Sequence, residues 1–321
     1  MSSAPLTLFA GALPLLRRQI ASDQDFDLID AHYFYPDGVA AVLLGRTLGR
    51  PVVITARGDD LDLVSTYRIP RRWIQWAAKH ASGLITVSGG LKRRLESLGV
   101  PPHRVRMLRN GVDLTAFRPC NREIARRLLG FTKPTLLAVG NLVPKKRHSL
   151  VVEALPQLPG FDLVIVGDGP ERSHIEARAH QLGVGDQVRF LARMTQASLP
   201  AVYGAADLLV HPSSREGWPN VLLESMACGT AVVVTPFDGV SDIVAAPQAG
   251  RVLREATPDC LAETIRSIFA APPTRVDTRH YAEAFDWRST TAGQIELFES
   301  ILCSLGSPFP AAQSPTRNCH I

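Results

Sequence analysis

Short apolar runs rich in β-branched residues alternate with stretches of helical period along nearly the whole chain. The runs at 51–55, 83–87 and 105–108 read as buried strands. After a break the same pattern returns at 135–139, 163–166, 188–191, 208–211 and 231–235. Between them, 91–98, 149–158 and 171–182 read as amphipathic helices, and 6–20 as a further helix at the start. Strands bounded by helices predict parallel sheets covered on both faces. The periodicity fails across 117–132, where Pro119, Arg122 and Lys133–Pro134 interrupt it. The expected architecture is α/β, with two doubly wound, Rossmann-like domains facing each other across a cleft. The first covers 1–131 and the second 132–287. Ligands of such sheets bind outside the carboxyl ends of the strands. The Pro-, Ser- and Ala-rich residues 306–321 are expected to form a loose tail.

Composition narrows this picture only slightly. With 321 residues, 45% of them hydrophobic and 20% charged, the chain can bury two cores and is neither disordered nor fibrous. No run of about 18 uncharged apolar residues predicts a membrane span. In the apolar opening the basic pair Arg17–Arg18 follows the hydrophobic stretch, the reverse of a secretory signal, so this segment reads as a helix of the folded protein. The formal charge of +5 is spread along the chain. It does not point to nucleic acid, but it leaves anionic substrates or an anionic membrane surface open. The cysteines at 120, 228, 260, 303 and 319 are scattered and odd in number. They predict neither a disulfide framework nor a zinc site, and fit a reducing cytoplasm.

Three segments carry candidate chemistry, each placed where a strand ends. His211-Pro-Ser-Ser-Arg-Glu-Gly-Trp-Pro-Asn-Val-Leu-Leu-Glu224 turns through Gly217 and opens a helix expected to start with Pro219. The free amides of Asn220, Val221 and Leu222, with the positive end of the helix dipole, make a diphosphate pocket. Glu216 and Glu224 stand too far apart to share a proton but can grip two parts of one extended ligand. Singly, each reads as a cap or a solvated helix residue. Gly140-Asn-Leu-Val-Pro-Lys-Lys-Arg147 brings Lys145, Lys146 and Arg147 to a turn where they can neutralise a phosphate leaving group. Val166-Gly-Asp-Gly-Pro-Glu-Arg172 imitates a dinucleotide fingerprint, but Arg172 replaces its third glycine. His32, His148 and His211 invite a general-base role, although a packed, hydrogen-bonded role is the better reading of His211.

Taken in order, these segments resemble glycosyltransferase family 4, whose fold is GT-B. The resemblance extends through Asp30-Ala-His32, Tyr35-Pro-Asp-Gly38, Ile85-Thr-Val-Ser88, Asn110-Gly-Val-Asp113 with Phe117, and Gly167-Asp-Gly-Pro-Glu171. It implies a retaining, metal-independent glycosyltransferase without a cofactor, moving a sugar from a UDP- or GDP-type donor to a hydroxyl acceptor in glycan, polysaccharide or glycolipid synthesis. Glu216 would contact the donor sugar, Glu224 the ribose and Lys146 the diphosphate. Glu216 and Lys146 are thereby the candidate catalytic residues, and front-face attack is expected, with the leaving diphosphate helping to take the acceptor proton. Gly140, Asn141, Gly217, Trp218, Asn220, Val221, Gly167 and Arg193 complete the donor set. His32, Arg57 and Gly58 would line the acceptor side. Asn141 stands where the family usually has arginine, and Arg57 where it commonly has histidine. A final helix at 288–305 would return to the first domain.

The resemblance also implies that the first domain is shortened at its start, because members carry further β/α units before the segment matching Asp30. With Asn141, this motivates an alternative: a non-catalytic nucleotide-sugar-binding or scaffold protein. A nucleotide-sugar epimerase is a third reading. Finally, 67–80 interleaves Arg68, Arg71, Arg72 and Lys79 with Trp73, Ile74 and Trp76. That mixture suits either a packed helix with a basic outer side or peripheral contact with the inner face of a membrane and a lipid-linked acceptor.

Overall fold

The computed structural model describes residues 3–22 and 24–305, so the tail expected at 306–321 lies outside the described residues. The first sheet consists of β1 (Ile29–His32), β2 (Val52–Ala56), β3 (Gly83–Thr86) and β4 (Val105–Met107), parallel and in sequential order. The second contains β5 (Thr135–Val139), β6 (Asp162–Val166), β7 (Val188–Leu191), β8 (Leu208–His211), β9 (Val232–Val234) and β10 (Gly250–Val252). It too is parallel, in the order β10-β9-β8-β5-β6-β7. Both sheets are flanked by helices, the α/β arrangement the alternation predicts.

The continuous apolar runs become strands because both their faces are covered. All five residues of β5 and of β2 are buried. Even-numbered residues of β2, Val52, Ile54 and Ala56, enter the main core with the helices Val39–Leu48 and Arg68–His80. On the opposite face, Val53 and Ile85 pack under the final helix, Trp287–Ser304, through Ile301 and Leu297. That helix therefore lies against the first sheet and is capped by the carboxylate of Asp286 on the Arg288 amide at 3.1 Å. β1 and β10 were not expected as strands. β1 alternates apolar residues with Asp30 and His32, and β10 is a three-residue edge strand containing Gly250 and Arg251.

The helix Arg122–Leu129 lies before the division drawn at 131/132, yet it packs on the helix Leu199–Ala205 of the second sheet. Arg126 donates to the Ala205 carbonyl at 3.0 Å and pairs with Asp207 at 2.9 Å. The Phe117 and Tyr203 rings lie 6.2 Å apart in the same core. Packing thus joins the segment from Phe117 onward to the second sheet. The apolar periodicity was lost there because this helix buries only Ala125 fully.

Candidate active site

The second sheet winds outward from β5 to β7 and then, starting at β8, in the opposite direction. Chains leaving the carboxyl ends of β5 and β8 diverge and open a crevice between them. From β5 the chain turns at Gly140, whose φ of +153° favours glycine, into the short turn Pro144–Lys146. From β8 it runs through 212–219 to the helix Asn220–Ala227. The two loops are stitched together. The Ser214 amide donates to the Lys145 carbonyl at 2.9 Å, and Arg147 Nε donates to the Pro212 carbonyl at 3.0 Å. Lys146 and Glu216 are thereby brought face to face in an ion pair at the crevice.

Glu216 Oε1 also meets His211 Nε2 at 3.1 Å. Glu216 is 11% exposed and His211 2%. Burial pushes the Glu216 carboxyl upward, but the His211 hydrogen bond and the Lys146 charge outweigh it and hold the group well below the usual carboxylate range. Glu216 is therefore a fixed anion that only accepts hydrogen bonds, a property suited to gripping hydroxyl groups. His211 takes the packed role and orients it. His148, close by, is buried with no hydrogen bond of ordinary geometry to either ring nitrogen. Burial first, then the His211 and Lys146 charges, lower it to about 4. It is neutral near pH 7 and cannot serve as an acid there.

Glu224, one helix along, accepts from the fully buried Tyr203 hydroxyl at 2.8 Å. Burial raises its carboxyl and that hydrogen bond partly restores it. Oε2 is engaged, which leaves Oε1 for a hydroxyl. Pro219 is not the first helical residue but precedes it, in extended backbone, and the Leu222 amide donates to its carbonyl at 3.1 Å. Of the three amides expected to be free, those of Asn220 and Val221 remain for an anion.

Of the three cations in the first turn, only Lys146 faces Glu216. Arg147, in left-handed backbone (φ +47°), braces the two loops, and Lys145 reaches across the cleft to Asp59. Asn141 is exposed beside Gly140. Gly167 and Gly169 are packing glycines: a Cβ on Gly167 would stand 2.0 Å from the Gly140 carbonyl oxygen, and one on Gly169 2.4 Å from that of Leu142. This explains the resemblance to a dinucleotide fingerprint without any dinucleotide. Trp218 is buried beside Phe285, with ring centroids 6.3 Å apart, so it supports the loop from below rather than lining the cleft. Arg193 is exposed beyond β7, at the sheet edge, and no contact among the described residues joins it to Lys146 or Glu216.

The first sheet provides the opposite wall. Arg57 donates through Nε to His32 Nδ1 at 2.9 Å and through Nη1 to Asn110 Oδ1 at 2.8 Å. Asn110 Nδ2 donates in turn to Asn220 Oδ1, 3.1 Å across the cleft at the start of the helix Asn220–Ala227. The guanidinium thus occupies Nδ1 of His32. Gly58 and Gly217 meet backbone to backbone; a Cβ on Gly217 would lie 1.8 Å from the Arg57 carbonyl oxygen. The Arg57–Gly58 turn is held by the buried Asp60, which accepts from the amides of Gly58 (2.8 Å), Phe34 (2.9 Å) and Arg57 (3.2 Å). A cavity of 540 Å³ opens beside Glu216, walled by Asp62, Arg93 and Arg94 on one side and Ser214 and Arg215 on the other. Burial and the neighbouring Asp60 carboxylate, opposed by Arg94, push Asp62 up to about 6.

Tyr203, Asp59, Asp60 and the bridge from Asn110 to Asn220 were not singled out in the sequence as site residues. Tyr203 sits in an ordinary apolar helical pattern, Asp59 and Asn110 meet partners 53 to 156 positions away, and Asp60 joins its own turn to Phe34, 26 positions away. Only the run of acids at 59–62 was a visible signal. Among the described residues no cluster of His, Cys, Asp or Glu could hold a metal, and no helix is long and apolar enough to cross a membrane.

The chain resembles known proteins in sequence and in fold. Residues 121–285 match the family model of glycosyl transferases group 1, and residues 2–116 that of glycosyltransferase family 4. The D-inositol 3-phosphate glycosyltransferase of Mycobacteroides abscessus is 32% identical, the match covering 98% of this chain and 73% of that protein. Its counterpart in Mycolicibacterium gilvum is 30% identical, over 89% and 69% of the two chains. Among solved structures, sucrose-phosphate synthase from Thermosynechococcus elongatus superposes with a TM-score of 0.79 at 22% identity, covering 92% of this chain and 79% of that one. HepE of Anabaena in complex with UDP gives 0.79 at 22% identity, covering 89% and 82%.

Proposed function

Because the chain belongs to the group 1 glycosyl transferases, which move sugars from nucleotide-sugar donors, we propose that it does so with retention of anomeric configuration and without a metal ion. The observation that carries this reading is the Lys146–Glu216 pair at the reversal point of the second sheet. Lys146 and the amides of Asn220 and Val221 offer positive charge to a diphosphate, so the leaving group is stabilised as it departs. Glu216 accepts from donor-sugar hydroxyls and Glu224 from the ribose. Arg57 occupies Nδ1 of His32, and His148 is a buried imidazole held far below its usual range and so only a weak base, which favours front-face attack with the acceptor proton passing to the leaving phosphate.

HepE has been solved with UDP-glucose, which makes that nucleotide sugar the first donor to test. The acceptor is a hydroxyl compound of glycan, polysaccharide or glycolipid synthesis. In the relatives named above it is a phosphorylated polyol, D-inositol 3-phosphate. Turnover of a panel of UDP- and GDP-sugars, with the anomeric configuration of the product read by NMR, tests the assignment. An inverted product would remove the retaining mechanism, and nucleotide binding without turnover on any acceptor would favour the non-catalytic reading.

A peripheral position on the inner face of a membrane also fits. The helix Arg68–His80 turns Arg68, Arg71, Arg72 and Lys79 outward, and Tyr67 and Ile69 are 51% and 54% exposed. Trp73 and Trp76 are half-buried against the core in an edge-to-face pair at 5.6 Å, so the apolar anchors of such a face are Tyr67 and Ile69, not the tryptophans. Sedimentation with anionic vesicles that weakens with salt and with Tyr67→Ser, and is absent with neutral vesicles, is the expected result.

A further inference from the structure

We propose that Asp59 is a positioning residue that couples closure of the cleft to the two donor-side groups, a reading that rests on the donor site assigned above. Asp59 belongs to the first sheet's wall, at the start of the short helix Asp59–Asp62. Its two carboxylate oxygens are each taken by a cation from the other side: Lys145 Nζ donates to Oδ2 at 2.6 Å, and Arg215 Nε to Oδ1 at 3.3 Å. These cations are the residues immediately before Lys146 and Glu216. In a turn with about three residues per revolution, successive side chains leave the backbone roughly 120° apart. Lys145 can therefore reach Asp59 while Lys146 faces Glu216, and holding one fixes the other.

Both ends of the contact are stiff. The turn before Asp59 is pinned by buried Asp60, through the amides of Arg57, Gly58 and Phe34. The loops carrying the cations are tied through the Lys145 carbonyl, which accepts from the Ser214 amide and hydroxyl at 2.9 and 3.2 Å. Between them Gly58 and Gly217 touch with no room for a side chain. Half-exposed ion pairs are individually weak, so Asp59 contributes through geometry: it makes one carboxylate of the acceptor wall the common anchor for both halves of the donor pair. Opening the cleft releases both at once.

The test compares the full-length chain with Asp59→Asn, Asp59→Glu and the double variant Lys145→Gln/Arg215→Gln, which breaks the same contact from the other side. Hydrogen exchange of the Lys146, Arg147 and Ser214 amides, all in the second sheet's loops, needs no knowledge of the donor. It should speed up by about tenfold in Asp59→Asn and in the double variant. UDP affinity by calorimetry should hold. UDP-glucose turnover should fall about ten- to a hundredfold in kcat, as displaced reacting groups do, with partial recovery in Asp59→Glu. Unchanged exchange overturns the coupling, and so does faster exchange with undiminished kcat. If the wild-type chain binds no UDP, the donor reading fails separately, while the exchange measurement still decides whether Asp59 orders the loops.

Discussion

The two sheets of this chain are built from the same kind of strand but are wound differently. The second reverses direction between β5 and β8, and its strand ends part to leave a crevice into which Lys146, His211 and Glu216 converge. The first runs β1 to β4 in one direction and has no such parting; what it presents to the cleft is a wall, the turn around Arg57 and Gly58 set on Asp60. The difference teaches that the gathering of these charged groups follows from topology. A reversal makes a crevice, and a crevice collects the loops that bear charge.

The sharpest way to break this comparison is to empty the crevice. Glu216→Ala and Lys146→Ala should each remain folded and lose turnover by about 10²–10³-fold, the effect of deleting one group that stabilises developing charge. Near-wild-type kcat in either folded variant would remove the crevice from the chemistry.

A second measurement sharpens the comparison through acid stability. His148 lies under the crevice with its folded value near 4, below the usual 6.5. The folded state therefore binds fewer protons than the unfolded one in that interval. The stability this provides is complete above pH 6.5 and is lost as pH falls towards 4, by about 3 kcal/mol. Urea titrations across this range should show a loss smaller by that amount in His148→Leu. Parallel curves for the two proteins would mean that His148 is not held neutral by its surroundings.

Smaller effects follow further from the reversal point. Tyr203→Phe removes the buried donor to Glu224 and should cost about 1.5 kcal/mol of stability, together with some UDP affinity. Retention of both would show that Glu224 is placed by the helix alone. The smallest change is expected on the wall: Asn110→Ala breaks an exposed bridge and should shift UDP affinity by less than about 1 kcal/mol. A loss as large as that of Lys146→Ala would put the wall inside the donor site and dissolve the contrast between the sheets.

Much of this protein is written locally. A strand buried on both faces needs a short unbroken apolar run, and β5 and β8 coincide with such runs to the residue. A loop that leaves a strand end in a parallel sheet is where ligands bind, so the segments around Lys146 and Glu216 stood out as soon as the strands did. The ordered motifs sufficed for the family and for GT-B. Other features depend on partners remote in the chain. β1 and β10 are too polar to announce themselves, and exist because a neighbouring strand completes their hydrogen bonds. Arg147 and Lys145 look identical to Lys146 in a basic turn; only the fold sends one to a carbonyl of the β8 loop, one to Asp59 and one to Glu216. The glycines at 167 and 169 imitate a cofactor motif until the β5 loop is seen lying on them. Periodicity is a property of neighbours along the chain and can be read there, whereas the direction of a charged side chain is set by whichever opposite charge or carbonyl the packed core carries to it.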